Sequence, residues 1–154
     1  MAVPLPNQEA TNGLGAALAP LLRAGDTVLL HGPMGAGKST LVRALLRKAA
    51  GDPALDVPSP SFTLVQTYTL PHLTLHHMDL WRLDGPGGVE ELGWHELLHD
   101  VVLVEWPDRL GTLTPKDALH IALAYATDGQ TRKATLSGWD ARLNTLVASL
   151  GREG

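Results

Sequence analysis

The chain has 154 residues, the size of one domain with one hydrophobic core. Its 44% hydrophobic and 18% charged residues exclude a disordered chain, and the lack of cysteine excludes a disulfide framework and any thiolate-built metal site. A net charge of −4 argues against a protein that grips nucleic acid alone, because neutralised phosphates supply most of that affinity; a nucleic acid, if involved, is held mainly by a partner.

Met1–Asn7 has no basic segment followed by an apolar core, so no secretory leader is expected. No apolar run approaches the ~20 residues of a membrane span, and the expectation is a soluble cytoplasmic protein. Asn7 is predicted to cap a helix running to about Arg23, with Leu14, Ala17, Leu18, Leu21 and Leu22 on one face and Pro20 interrupting it. Asp26–His31 reads as a buried strand, and Lys38–Ala50, rich in Leu, Ala, Arg and Lys, as a helix closed by Gly51. Three prolines make Gly51–Pro60 a loop. Ser61–Leu70 and Leu73–Met78 alternate and are joined tightly at Pro71, which predicts an antiparallel pair.

Val89–Asp100 is helix-like, and Val101–Glu105 is the most strand-like run of the chain. Leu119–Tyr125 and Arg132–Ser137 flank an Asp128-Gly129 turn and predict a hairpin. Trp139–Leu150 reads as an amphipathic closing helix. Interleaved strands and helices with hairpins predict one three-layer α/β domain over residues 1–154, with a mixed, partly parallel central sheet.

Gly32-Pro33-Met34-Gly35-Ala36-Gly37-Lys38-Ser39 matches G-x-x-x-x-G-K-[ST] in full. Its glycines allow the backbone to turn its N–H groups onto phosphate oxygens, and the helix that follows aims unpaired amides and its positive end at the same point. Lys38 is expected to reach the β- and γ-phosphates, with the Ser39 hydroxyl on Mg²⁺. The apolar strand before the loop and the long helix after it are the setting this chemistry requires.

Such a loop needs an acid at the end of a neighbouring strand. Glu105, after four apolar residues, is the expected Mg²⁺ carboxylate; Asp79, at the end of Leu73–Met78, is the candidate for positioning the attacking water or supporting the metal. His95-Glu96-Leu97-Leu98-His99 is a formal H-E-x-x-H match, but it is short and runs directly into the Glu105 strand, so a zinc site is not expected there. His76-His77 reads as strand surface rather than as a ligand pair.

With the phosphate loop in place, other segments fall into one pattern: Pro4-Leu5-Pro6 with Ala10-Thr11, Ser59-Pro60-Ser61-Phe62-Thr63-Leu64, His77-Met78-Asp79-Leu80-Trp81-Arg82-Leu83, Glu90-Glu91-Leu92-Gly93 and Val104-Glu105-Trp106-Pro107. In this order they resemble the TsaE (YjeE) family, bacterial ATPases of tRNA threonylcarbamoyladenosine synthesis. The resemblance implies a P-loop fold, slow ATP hydrolysis with Mg²⁺, and work beside TsaD-like and TsaB-like transferase subunits. TsaD transfers the threonylcarbamoyl group to N6 of adenosine 37 in tRNAs reading ANN codons, so tRNA is met only through the complex, and the ATPase resets or activates that complex.

Carried over by position, the resemblance implies Thr11 near the nucleotide and Gly35, Ala36, Gly37, Lys38, Ser39 and Thr40 around the phosphates. It further implies Ser39 and Glu105 on Mg²⁺, Asp79 in hydrolysis, Ser59–Thr63 as a switch-like loop and Trp106 close by. The chain departs from the family in having Ser61 for a common Thr. It also has Gln130 after Gly129 where many members have Arg, which leaves Arg132 as the nearest basic residue.

Two other readings compete. A P-loop kinase for a small acceptor would need an arginine-bearing lid, yet Arg109 is the only arginine between Leu83 and Arg132. A non-hydrolysing assembly switch would not need Lys38, Ser39, Asp79 and Glu105 together. Adenine preference and the tRNA connection come from the resemblance alone.

Overall fold

The computed structural model describes residues 1–153, with side chains through residue 150. Seven strands form one sheet: β1 (Ala2–Leu5), β2 (Thr27–His31), β3 (Val65–Thr69), β4 (Thr74–Asp79), β5 (Val101–Glu105), β6 (Leu119–Tyr125) and β7 (Arg132–Ser137). Their order across the sheet is β1-β7-β6-β2-β5-β4-β3. The centre, β6-β2-β5-β4, is parallel, while the pairs β1-β7, β6-β7 and β3-β4 are antiparallel. The expected mixed sheet is therefore what forms.

The central strands are apolar because both faces are covered. Val28 and Leu30 of β2 and Val101 and Leu103 of β5 turn to one face, into a core shared with Leu14, Leu18, Leu41, Leu45 and Leu46. Those residues come from α1 (Gln8–Leu18) and α2 (Lys38–Ala50), and Leu143 and Leu146 of α5 (Asp140–Glu153) join them. Leu29, Val102 and Val104 turn to the other face and meet Val89, Trp94 and Leu110. These belong to two short helices, α3 (Pro86–Glu91) and α4 (Trp94–Leu97), and to a 3-10 segment, Pro107–Leu113. Each fully buried aliphatic side chain stabilises the fold by about 1.5–3 kcal/mol.

Local chemistry sets the boundaries. Asn7 Oδ1 accepts the Ala10 amide at 2.9 Å and starts α1, which stops at Leu18 instead of reaching Arg23 because Pro20 turns the chain into a 3-10 segment, Ala19–Leu21. Gly51, at φ 66°, closes α2. The helix expected over Val89–Asp100 is divided at Gly93, which adopts φ 83°. Strand β3 begins only at Val65, and β4 extends to include Asp79. The closing helix begins at Asp140, since Trp139 has left-handed backbone. Arg142 of α5 grips Asp26 with two contacts of 2.7 and 2.9 Å, tying that helix to the start of β2. No helix among the described residues is long and apolar enough to cross a membrane.

Candidate functional site

In an open α/β sheet, ligands collect beyond the carboxyl ends of the parallel strands. Here β2 ends in the phosphate loop, while β4 and β5 end in Asp79 and Glu105, which are aligned register partners. These ends open into a cleft of about 510 Å³. Thr11, Gly35, Gly37, Lys38, Ser39, Thr40, Asp79, Glu105, Trp106 and Arg132 all line it, together with Gln8, Met34, Ser59 and Ser61. Ala36 does not; it lies fully buried beneath the loop.

The loop has the geometry of an anion cradle. Gly32, Gly35 and Gly37 all have positive φ. At Gly32 a side chain is doubly excluded, because φ is 142° and a Cβ would lie 2.5 Å from the Leu123 carbonyl oxygen. Leu41 is the first residue of α2 whose amide finds a carbonyl, Gly37 O at 3.0 Å. The amides of Lys38, Ser39 and Thr40 before it form the unpaired first turn, at the positive end of the helix. Lys38 is only 7% exposed, and no carboxylate lies within ion-pair distance of it among the described residues. Its ammonium lies 4.5 Å from the centre of the Trp106 ring. A buried cation and a row of free amides suit a polyanion.

Other elements brace the loop. Tyr125 Oη donates to the Gly35 carbonyl at 3.1 Å, and Arg132 donates to the same oxygen at 2.9 and 3.2 Å while its guanidinium lies over the Tyr125 ring. Thr11, 3% exposed, approaches Gly37 from α1. Trp106, in left-handed backbone directly after Glu105, packs against Trp81 with the rings tilted by 51° and their centroids 4.5 Å apart.

The carboxylates have distinct surroundings. Asp79 accepts the Trp81 amide at 3.0 Å on Oδ1 and faces the Ser61 hydroxyl at 3.4 Å on Oδ2; Ser61 in turn lies 2.7 Å from Ser59. The Ser59–Thr63 segment thus touches Asp79 directly. Glu105 Oε2 lies 2.7 Å from His77 Nε2. A serine hydroxyl and carboxylate oxygens gathered beside free amides are the hard oxygen donors that Mg²⁺ takes. The residues present fit a magnesium nucleotide.

His76 and His77 are not strand surface. They are 7% and 3% exposed, because β4 is covered on both faces. His76 bridges Thr67 at 2.8 Å and Asp100 at 2.9 Å, and His77 turns to Glu105. His95 and His99 are exposed and lie on either side of the end of α4 at Leu97, not on one regular helix. A pair missed from sequence is His31 and His120, whose rings stack with nitrogens 3.0 Å apart behind the loop. Burial above all, and the His120 ring next, hold His31 below the usual imidazole value, with Asp108 pulling the other way.

Comparison with known proteins agrees with this architecture. The family model described as "Threonylcarbamoyl adenosine biosynthesis protein TsaE" matches residues 5–134. The tRNA threonylcarbamoyladenosine biosynthesis protein TsaE of Rickettsia bellii is 34% identical over 80% of this chain and 86% of its own. That of Nostoc sp. is 32% identical over 94% and 90%. The crystal structure of Bacillus subtilis YdiB superposes with a TM-score of 0.76 at 27% identity, covering 99% of this chain and 95% of that one. The phosphate loop, the two strand-end carboxylates and the matched span lead to one assignment: the chain belongs to the TsaE family.

Proposed function

We propose that this chain, as a single domain over residues 1–154, is the ATP-hydrolysing subunit of a cytoplasmic assembly that forms threonylcarbamoyladenosine at position 37 of tRNA. Membership of a family named for threonylcarbamoyladenosine biosynthesis supports the pathway. The observation that carries the chemistry is the convergence of a full phosphate loop with two aligned carboxylates on one cleft.

In this reading the loop Gly35–Thr40 grips the phosphates through the amides of Gly35 and of Gly37 through Thr40, with Ala36 buried beneath them, and Lys38 balances charge on the β- and γ-oxygens. Magnesium, when bound, supplies charge neutralisation across those oxygens, and Ser39 and Glu105 would hold it. Asp79 orients the attacking water and accepts its proton at a carboxylate oxygen. Ser61 and Ser59, hydrogen-bonded in series to Asp79, carry the state of the γ-phosphate into the exposed loop that ends at Thr63. Arg132 and Thr11 close the cleft over the nucleotide.

Hydrolysis is slow alone and stimulated by TsaD-like and TsaB-like subunits, which hold the tRNA; a chain of net charge −4 has little means of doing so itself. The test is genetic and chemical. Deleting the gene should remove threonylcarbamoyl from position 37 of tRNA, the intact gene should restore it, and Lys38→Ala should not. Unchanged tRNA after deletion would refute the proposal.

A further inference from the structure

Two buried side chains meet at the back of the cleft. His77 and Glu105 sit on the same face of neighbouring parallel strands, His77 aligned with Leu103, two residues before Glu105. The Nε2···Oε2 separation of 2.7 Å is that of a short hydrogen bond to a charged acceptor. A carboxylate only accepts, so Nε2 carries the hydrogen and donates it. His77 Nδ1 is buried and has no hydrogen-bond partner among the described residues. A lone pair left there costs less than an unpaired N–H, which selects the same tautomer.

The neighbouring histidine behaves differently. His76 uses both ring nitrogens, on Thr67 and Asp100, and so laces the edge of the sheet together. His77 makes one side-chain hydrogen bond, and that bond goes to a strand-end carboxylate. It holds Oε2 of Glu105, and no hydrogen bond to Oε1 is formed among the described residues; Glu105 and His77 line a small cavity together with Ser39 and Ser59.

We infer that His77 is a positioning residue for Glu105: its Nε2–H holds one carboxylate oxygen so that the other is presented, preoriented, to the metal of a magnesium nucleotide. The inference rests on the reading of Glu105 given above. Without that bond a flexible glutamate must be ordered each time the metal binds, and loss of such supporting hydrogen bonds typically weakens metal affinity by about 10- to 100-fold.

The test measures binding as well as turnover. A fluorescent ATP analogue is titrated into the purified protein in EDTA and then at rising Mg²⁺. His77→Leu should need roughly 10- to 100-fold more Mg²⁺ for its half-maximal effect, while affinity in EDTA stays within about twofold of the parent. His77→Gln, whose amide can still donate near the Nε2 position, should recover most of the loss, and the shorter His77→Asn should not.

A magnesium midpoint unchanged in His77→Leu, or an equal loss of affinity in EDTA and in Mg²⁺, would overturn the inference. If His77→Leu fails to fold, the Gln and Asn variants decide, and equal midpoints for the two overturn it. If the parent binds nucleotide with no dependence on Mg²⁺, or Glu105→Ala leaves that dependence intact, the reading of Glu105 fails first and takes the inference with it.

Discussion

The carbonyl oxygen of Gly35 accepts two hydrogen bonds from Arg132, one from Nε at 3.2 Å and one from Nη2 at 2.9 Å. The two residues lie 97 positions apart in the chain, so the loop that would seat the phosphates is held from the far hairpin. Arg132→Ala removes both bonds and a cation at the rim of the cleft. The contact is exposed, which limits its worth to about 1 kcal/mol, roughly a fivefold rise in the Kd of ATP. Isothermal titration of both proteins measures it.

Asp79 and Glu105 should fail in different ways. Asp79→Asn keeps the shape of the site but loses the proton acceptor, so hydrolysis should fall about 10²- to 10⁴-fold with nucleotide affinity nearly unchanged. Glu105→Ala should abolish hydrolysis more than binding, and it also leaves the buried His77 donor unpaired, at about 1–3 kcal/mol of stability. Steady-state phosphate release, read beside thermal unfolding, separates the two. Equal loss of binding in both variants would count against these roles.

The contrast between those acids shows what the sequence could and could not convey. Val101–Glu105 announces itself because a fully buried parallel strand must be apolar until it reaches the ligand end. The phosphate loop is equally legible, since its chemistry lies in consecutive residues. The partnership of His77 with Glu105 is not local: it depends on β4 and β5 being neighbours in a given register, and nothing near either residue encodes that. The same limit hid the His31–His120 pair and the bracing of Gly35 by Tyr125. Strand β1 was missed because Ala2–Leu5 is short, contains Pro4 and is stabilised as an edge by β7 rather than by its own pattern.

Gly15 of α1 is a second point where packing overrules local preference. An alanine Cβ there would lie 2.5 Å from the Leu41 carbonyl oxygen and 3.1 Å from the Leu45 nitrogen, both backbone atoms of α2. Gly15→Ala gains about 1 kcal/mol of helix propensity but forces two packed helices apart, at about 1–3 kcal/mol and nearer the upper figure against backbone. The net loss should lower Tm by about 2–8 °C. An unchanged or raised Tm by differential scanning calorimetry would contradict the close approach of α1 to α2.

Stability should also depend on pH through His31. Its folded value is depressed below 6.5, by burial first and by His120 next, with Lys38 adding to this and Asp108 opposing. The unfolded chain therefore takes up the proton first as pH falls, and stability contributed by the unprotonated ring is lost as pH drops below about 6.5. Urea midpoints at pH 7.5 and pH 5.5 should fall more for the parent than for His31→Gln. An equal fall in both would remove His31 from the account.

The most direct measurement is a crystal structure of the protein with a non-hydrolysable ATP analogue and Mg²⁺. Phosphate oxygens should lie within hydrogen-bonding distance of the amides of Gly35 and of Gly37 through Thr40, with the Lys38 ammonium drawn off the Trp106 ring and the metal between Ser39 and Glu105. Nucleotide bound elsewhere, with that cradle holding nothing, would contradict the account at its root.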